Sequence, residues 1–141
     1  MKKAIYLLLL VSSFSFSQDW KTDVDEAKTI AKANNQKIVL VFSGSDWCAP
    51  CMKLEREIWN TQAFKDYAES NYVMLKADFP KRKKNALSKE QQNHNNALAE
   101  KYNKNGYFPF VVVLNSEGDV VGETGYKKTT PEAFIKLINT Y

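Results

Sequence analysis

A buried strand that passes almost directly into a helix is the feature that most restricts how this chain can fold. Residues 37–42 form a continuous run, Lys-Ile-Val-Leu-Val-Phe, rich in β-branched and apolar side chains. Such a run is typical of a strand that is covered on both faces of a partly parallel sheet. Residues 43–46 break the strand, and from Pro50 onward apolar and charged residues alternate at helical spacing. The sequence therefore predicts an α/β fold.

The rest of the chain continues this alternation of helical and strand-like segments. The predicted helices cover about 23–33, 50–59, 62–70, 88–102 and the residues after 130, and the predicted strands cover 37–42, 72–78, 110–114 and 120–124. Residues 115–119 join the last two strands as a hairpin loop. The order α-β-α-β-α-β-β-α predicts a four-stranded mixed sheet with helices on both faces.

The first seventeen residues have the pattern of an export signal. Met1-Lys2-Lys3 is a positive start, residues 4–11 are apolar, and residues 12–17 are mostly small. We expect cleavage after Ser17, which leaves one domain over 18–141 in the periplasm or secreted further. The alternative is an uncleaved membrane anchor, although the apolar run is shorter than the roughly 20 residues that a spanning helix needs.

The charge and the cysteine content narrow the range of functions. Loss of Lys2 and Lys3 with the signal lowers the formal net charge from +4 to +2. A charge this small does not favour a nucleic-acid partner. Export would place both cysteines in a compartment where disulfides persist. We therefore expect the partners to be exported proteins with thiols or disulfides, and we expect a monomer.

Cys48 and Cys51 are the only cysteines, and their spacing favours chemistry over structural cross-linking. A disulfide stabilises a fold more as the loop that it closes grows, and this loop is very short. At the start of a helix the first sulfur lies beside unpaired N–H groups, which favours its thiolate. The sequence predicts Cys48 as the exposed nucleophile and Cys51 as the inner thiol that resolves a mixed disulfide. Trp47 is predicted to shield the sulfurs.

The segment Trp47-Cys48-Ala49-Pro50-Cys51, with the strand before it and Phe108-Pro109 and a hairpin far downstream, resembles the thioredoxin superfamily. The resemblance covers essentially the whole mature chain. It implies a thioredoxin-like fold and a thiol–disulfide oxidoreductase that needs no cofactor. It also implies that Pro109 is cis and lies against the cysteines, where the neighbouring backbone pairs with a substrate chain. Trp47 and Phe108 are the predicted substrate contacts.

The sequence lacks two polar residues that thioredoxins carry near the cysteines, a buried acid and its lysine partner. Thioredoxins carry an acid six residues before the first cysteine and a lysine on the next strand, and these positions correspond to Phe42 and Met74 here. Glu55 is a candidate substitute because it lies four residues after Cys51 on the same helix face. The stretch 51–55 also resembles the C-terminal thioredoxin-like domain of the transmembrane disulfide reductases. The alternative is that Glu55 is a solvated acid paired with a nearby Lys or Arg.

Other chemistries fit the sequence less well. A structural zinc needs about four ligands, and only His94, predicted to be exposed, could join the two cysteines. Covalent haem needs a histidine where Met52 stands. No metal site is therefore expected. The basic run 81–84 is predicted to be a solvated loop.

The predicted function is thiol–disulfide exchange of the reductase or interchange type, acting on exported proteins. The Ala-Pro dipeptide is close to the Gly-Pro of reducing thioredoxins, and a membrane thiol protein is the expected electron donor by analogy. Two rivals remain. One is a disulfide-forming oxidase, and the other is a peptide-binding or chaperone-like module whose disulfide is not catalytic.

Overall fold

A five-stranded mixed β-sheet with helices on both faces is the centre of the protein in a computed structural model, which describes residues 18–141. The strands are β1 (Trp20–Lys21), β2 (Lys37–Ser43), β3 (Tyr72–Asp78), β4 (Phe110–Leu114) and β5 (Val120–Gly125). The helices are α1 (Val24–Asn34), α2 (Ala49–Leu54), α3 (Gln62–Asn71), α4 (Lys89–Tyr102) and α5 (Pro131–Asn139), with a π-helical segment at Glu55–Trp59 and a 3₁₀ turn at Lys83–Asn85. The predicted export signal lies outside the described residues.

β2 occupies the middle of the sheet, in the spatial order β1-β3-β2-β4-β5. It pairs in parallel with β3 and antiparallel with β4, and β4 pairs antiparallel with β5. Phe42, near the end of β2, lies opposite Ala77 on one side and Phe110 on the other. The loop after β2 therefore begins at the centre of one end of the sheet, close to the segments that follow or precede the neighbouring strands.

The sheet has one strand more than the sequence predicted. β1 pairs in parallel with Met74 and Leu75 of β3 at the outer edge. Two residues are too few to show the alternation that identifies a strand, so the prediction of four strands was wrong on this point. The predicted α/β class, a mixed sheet with helices on both faces, is confirmed.

Two hydrophobic clusters cover the two faces of the sheet. One includes Val39, Val41 and Trp59 and packs beneath the helical run that starts at α2, together with α3 and α5. The other includes Leu40 and Phe42 and packs beneath α1 and α4. Because both faces are covered, every residue of β2 from 38 to 43 is buried, which accounts for its uninterrupted apolar sequence.

Polar side chains fix the starts of the longer helices. Asp23, Thr61, Ser88 and Thr130 each accept a bond from a backbone N–H in the first turn of α1, α3, α4 and α5. Thr61 follows the turn at Asn60, where the sequence predicted a break. The structure adds the π-helical segment just before this turn, marked by the bond from Asn60 N–H to Glu55 O at 2.8 Å.

The structure corrects the predicted exposure of His94. This residue lies in α4 and is half-buried. Its Nε2 accepts a bond from the N–H of Val24 at 3.2 Å. The ring therefore joins α4 to the start of α1, because that N–H is one of the unpaired donors in the first turn of a helix.

Candidate active site

Cys48 and Cys51 form a disulfide at the junction between the loop after β2 and the start of α2. Cys48 is the N-cap residue in an extended conformation, and its Sγ accepts a bond from Cys51 N–H at 3.3 Å. Pro50 stands in the first turn, where its missing N–H leaves no donor unpaired. The Cys48 sulfur thus lies at the positive end of a helical run from residue 49 to 59, which favours a thiolate on this sulfur after reduction.

The predicted difference in exposure between the two sulfur residues is wrong for the disulfide form. Cys48 and Cys51 are each only 4% exposed. The disulfide and the bond from Cys51 N–H hold the Cys48 sulfur against the first turn of the helix, so it does not project into solvent. Access to the pair therefore depends on the surface residues around it.

The most prominent of these is Trp47, which is 37% exposed. Its Nε1–H donates to the carbonyl of Phe79 at 2.7 Å, and its ring meets that of Phe108 edge-on at 5.4 Å. Phe79 and Phe108 also meet edge-on at 5.5 Å. Gly44 lies under the Trp47 ring, because a Cβ at this position would overlap the indole. We call Trp47, Phe79 and Phe108 the aromatic ridge.

The turn before β4 is brought to the cysteine loop by this ridge. Phe108 contacts Trp47, the residue before Cys48, and Pro109 directly follows Phe108. The Phe108–Pro109 peptide bond is cis, as the family resemblance implies, and Pro109 is buried. Two of the predicted substrate contacts, 61 residues apart in the chain, are therefore in contact with each other.

Glu55 lies at the end of α2, and its backbone N–H donates to the carbonyl of Cys51. Its carboxylate is 3.5 Å from Nζ of Lys76, which also lies 4.3 Å from the centre of the Trp20 ring. The side chains of Lys76 and Glu55 are 24% and 38% exposed. The acid is therefore paired with a basic residue, as the alternative interpretation predicted.

The structure places the lysine of this strand at Lys76, not at the position aligned with Met74. Met74 is buried in the core at 3% exposure, whereas Lys76 lies two residues further along β3 on the same face. Phe42, at the position of the missing acid, is fully buried in the opposite cluster. Both family positions are thus apolar, and the ion pair near the end of α2 is formed by the half-buried Lys76 and Glu55.

Asp46 is a residue of the site that sequence reasoning missed. Its carboxylate accepts bonds from Lys81 N–H at 2.9 Å, Arg82 N–H at 3.0 Å and the amide of Asn85 at 2.9 Å. The pKa of Asp46 is lowered to about 2, mainly by the bond from the Lys81 N–H and next by the bond from the Asn85 amide. Its position two residues before Cys48 was the one available signal, because its partners are 35 or more residues away.

The arrangement supports redox chemistry of sulfur. Within residues 18–141, no three His, Cys, Asp or Glu side chains come together in a way that could hold a metal ion. The helices in this part of the chain include none with the length and apolar character needed to cross a membrane. A reactive pair of sulfurs at a helix start, with a cis-proline turn beside it, defines a thioredoxin-fold protein with a dithiol–disulfide centre.

Comparison with known proteins agrees with this class. Residues 19–116 match the family described as thioredoxin-like. The disulfide bond reductase DsbH of Chlamydia pneumoniae is 31% identical over 115 residues, which are 82% of this chain and 68% of that protein. The chain therefore belongs to the thioredoxin-like family, and its activity is that of a thiol–disulfide oxidoreductase.

Solved structures show the same relationship at the level of the fold. The structure of DsbH oxidoreductase superposes with a TM-score of 0.81 at 29% identity, covering 89% of this chain and 84% of the other. The C-terminal domain of Neisseria meningitidis DsbD in its oxidised form superposes with a TM-score of 0.55 at 21% identity, covering 82% and 90% of the two chains. The second similarity supports the shared fold alone.

Proposed function

We propose that this protein is a disulfide reductase of exported proteins, in which Cys48 is the nucleophile and Cys51 the resolving thiol. The observation that carries the proposal is the Cys48 sulfur, which lies at the start of the helical run and accepts the Cys51 N–H. Both features favour a thiolate on this sulfur, so they identify Cys48 as the sulfur that attacks a substrate disulfide. The reductase name of its relative DsbH supports the proposed direction of the reaction.

The reaction transfers two electrons from the reduced cysteine pair to a substrate disulfide. The Cys48 thiolate attacks one sulfur of the substrate, forms a mixed disulfide and releases the other substrate sulfur as a thiolate. Cys51, once deprotonated, attacks the Cys48 sulfur and releases the second substrate thiol. The product is the Cys48–Cys51 disulfide that the structure contains. A thiol donor must then reduce this disulfide, and we propose a membrane thiol protein for that role.

Pro109, Phe108 and Trp47 are proposed to hold the substrate chain during this exchange. Trp47 offers an exposed flat surface directly before Cys48, and Phe108 supports it from the side. The buried Pro109 ends the turn that leads into β4. A peptide that lies along this turn would bring its disulfide to the Cys48 sulfur.

The proposal includes export and the division of the chain. Residues 1–17 would act as a cleaved signal, and residues 18–141 would form one thioredoxin-like domain, monomeric in the periplasm or beyond. The pattern of the first seventeen residues supports export, and the near-complete coverage of residues 18–141 by one sheet and its helices supports a single domain.

The reduction potential tests the direction of the reaction. We expect the Cys48–Cys51 pair to equilibrate with glutathione at a potential near about −270 mV, the range of reducing thioredoxins. The Ala-Pro dipeptide between the two cysteines, which is close to the Gly-Pro of reducing thioredoxins, supports a value in this range. A potential near about −120 mV would contradict the reductase proposal and identify a disulfide-forming oxidase.

Glu55 is proposed to tune the cysteine pair, and its variant gives a separate prediction. In Glu55→Gln the carboxylate is lost while Lys76 keeps its charge, so thiolates at the helix start become more favourable. We expect the pKa of the Cys51 thiol to fall and the potential to rise by about 10 to 30 mV.

The matched control for this experiment is Glu57→Gln. Glu57 lies in the same helical run, but its carboxylate accepts a bond from the hydroxyl of Tyr126 at 2.9 Å. We expect a smaller change in potential for this variant. If Glu55→Gln leaves both thiol pKa values and the potential unchanged, Glu55 has no role beyond its ion pair.

A further inference from the structure

Four exposed cations lie next to the redox centre, in the segment that follows β3. They are Lys81, Arg82, Lys83 and Lys84. No carboxylate oxygen of residues 18–141 lies within ion-pair distance of their charged groups. We call residues 81–85 the basic loop. Unpaired, exposed charges of one sign are free to act on a binding partner.

The basic loop is held in a fixed position relative to Cys48. The carboxylate of Asp46, two residues before Cys48, accepts the N–H groups of Lys81 and Arg82 and the side-chain amide of Asn85. The 3₁₀ turn at Lys83–Asn85 closes with a bond from Ala86 N–H to Lys83 O at 3.1 Å. The loop therefore belongs to the same rigid surface as the disulfide and is more than a solvated connection.

One of these cations lies directly on the aromatic ridge. Nζ of Lys81 is 3.8 Å from the centre of the Trp47 ring, a cation–π contact. Tyr107, the residue before Phe108, is 56% exposed and meets the ring of Phe110 edge-on at 5.8 Å. The surface around the disulfide thus combines flat aromatic rings with positive charge.

The acids near this surface do not neutralise it. Asp46 is bonded to the basic loop, and Asp78 accepts bonds from the N–H and the hydroxyl of Ser45 at 2.9 and 2.6 Å. These two carboxylates face four cations, so positive charge remains in excess. Both carboxylates accept hydrogen bonds within the protein, whereas the four basic residues are exposed.

We propose that the basic loop selects substrate proteins that carry acidic side chains beside the disulfide to be reduced. This inference rests on the proposed function, because it names the substrate class of the same site. Glu or Asp residues next to the substrate cystine would approach the four cations while the peptide lies on the aromatic ridge. Complementary charge raises the rate of productive encounter more than it tightens the final complex.

Two synthetic peptides test the proposal. Each contains one intramolecular disulfide, and they differ only in two flanking residues, which are Glu in one and Lys in the other. The reduced full domain is mixed with each peptide, and the second-order rate of reduction is followed by rapid acid quenching. We expect the Glu peptide to react roughly tenfold faster at about 20 mM ionic strength. The ratio should fall below about twofold near 0.5 M salt, where screening extends only a few ångströms.

The variant Lys83→Gln/Lys84→Gln removes two cations of the basic loop without touching Trp47 or Asp46. We expect it to lower the Glu-to-Lys rate ratio about threefold at low salt. The matched control, Lys32→Gln/Lys136→Gln, changes the net charge equally at exposed positions in the last turns of α1 and α5. Those turns lie at the sheet end away from the disulfide, so the ratio should stay within the error of the wild type. Because each ratio comes from one preparation, partial unfolding lowers both rates alike.

The remaining outcomes separate this inference from the function on which it rests. Equal rates for the two peptides, with normal insulin reduction, would overturn the selection of acidic substrates and leave the reductase function intact. Failure to reduce the peptides and insulin would overturn both. Lysine-dependent binding of the domain to phosphatidylglycerol vesicles, without any preference between the peptides, would also overturn it and assign the basic loop to a membrane surface.

Discussion

The variant Cys48→Ser is expected to lower dithiothreitol-driven insulin reduction by at least about a hundredfold, to the rate of dithiothreitol alone. A serine hydroxyl does not ionise at neutral pH, whereas a cysteine thiol at a helix start does. Cys48 Sγ is the sulfur that accepts the Cys51 N–H at this helix start, so its loss removes the only activated nucleophile of the site. Turbidity of the precipitating insulin B chain measures the rate.

Cys51→Ser is the matched control, because it removes the second sulfur and keeps the first. We expect this variant to form a mixed disulfide between Cys48 and insulin, visible as a protein adduct on a non-reducing gel. Its turnover then depends on dithiothreitol to release the product. Equal insulin reduction by wild type and Cys48→Ser would contradict the proposed roles and favour the peptide-binding module with a non-catalytic disulfide.

The parts of this site that the sequence could predict are those encoded by neighbouring residues. The apolar run of β2 and the start of α2 lie within about twenty residues, so local patterns identified the strand, the helix and the Cys48–Cys51 pair between them. The two interpretations of Glu55, as a substitute for the missing acid or as an acid paired with a nearby base, also followed from local spacing. The contact between Trp47 and Phe108 was not predicted, although each was named as a substrate contact, because no local pattern joins positions so far apart.

The remaining features depend on tertiary contacts or on the redox state. β1 exists because it pairs with β3, and two residues alone carry no signal of this pairing. The π-helical segment shifts one hydrogen bond without changing the apolar pattern of 54–59. Asp46 finds its partners only when the loop after β3 folds back against the loop after β2. The burial of Cys48 follows from its disulfide, which a sequence does not specify.

The basic run 81–84 shows how a tertiary contact that local sequence does not encode can affect function. Its composition alone predicted a solvated loop, and the cations are indeed exposed. Asp46 and Trp47, which directly precede Cys48, fix the loop beside the disulfide. Because these two residues hold the positive charges beside the redox centre, the basic loop is a candidate determinant of substrate choice.

The helix that carries the cysteine pair is anchored by Trp59, and its removal should have the largest effect on stability. Trp59 is 2% exposed and meets Trp20, Phe64 and Phe134 edge-on at 6.1, 4.8 and 5.3 Å. These rings belong to β1, α3 and α5, so one side chain joins three elements to the π-helical segment. We expect Trp59→Ala to lower the free energy of unfolding by about 3 to 5 kcal/mol, because it leaves a large cavity among them.

Urea unfolding followed by circular dichroism measures this loss, and Trp47→Ala is the matched control. Trp47 is the same residue type at 37% exposure, so its truncation removes less buried surface and leaves no closed cavity. We expect less than about half the loss of Trp59→Ala, with slower insulin reduction as its main effect. A loss for Trp59→Ala no greater than that for Trp47→Ala would show that the redox helix is held by its own hydrogen bonds and not by packing on this ring.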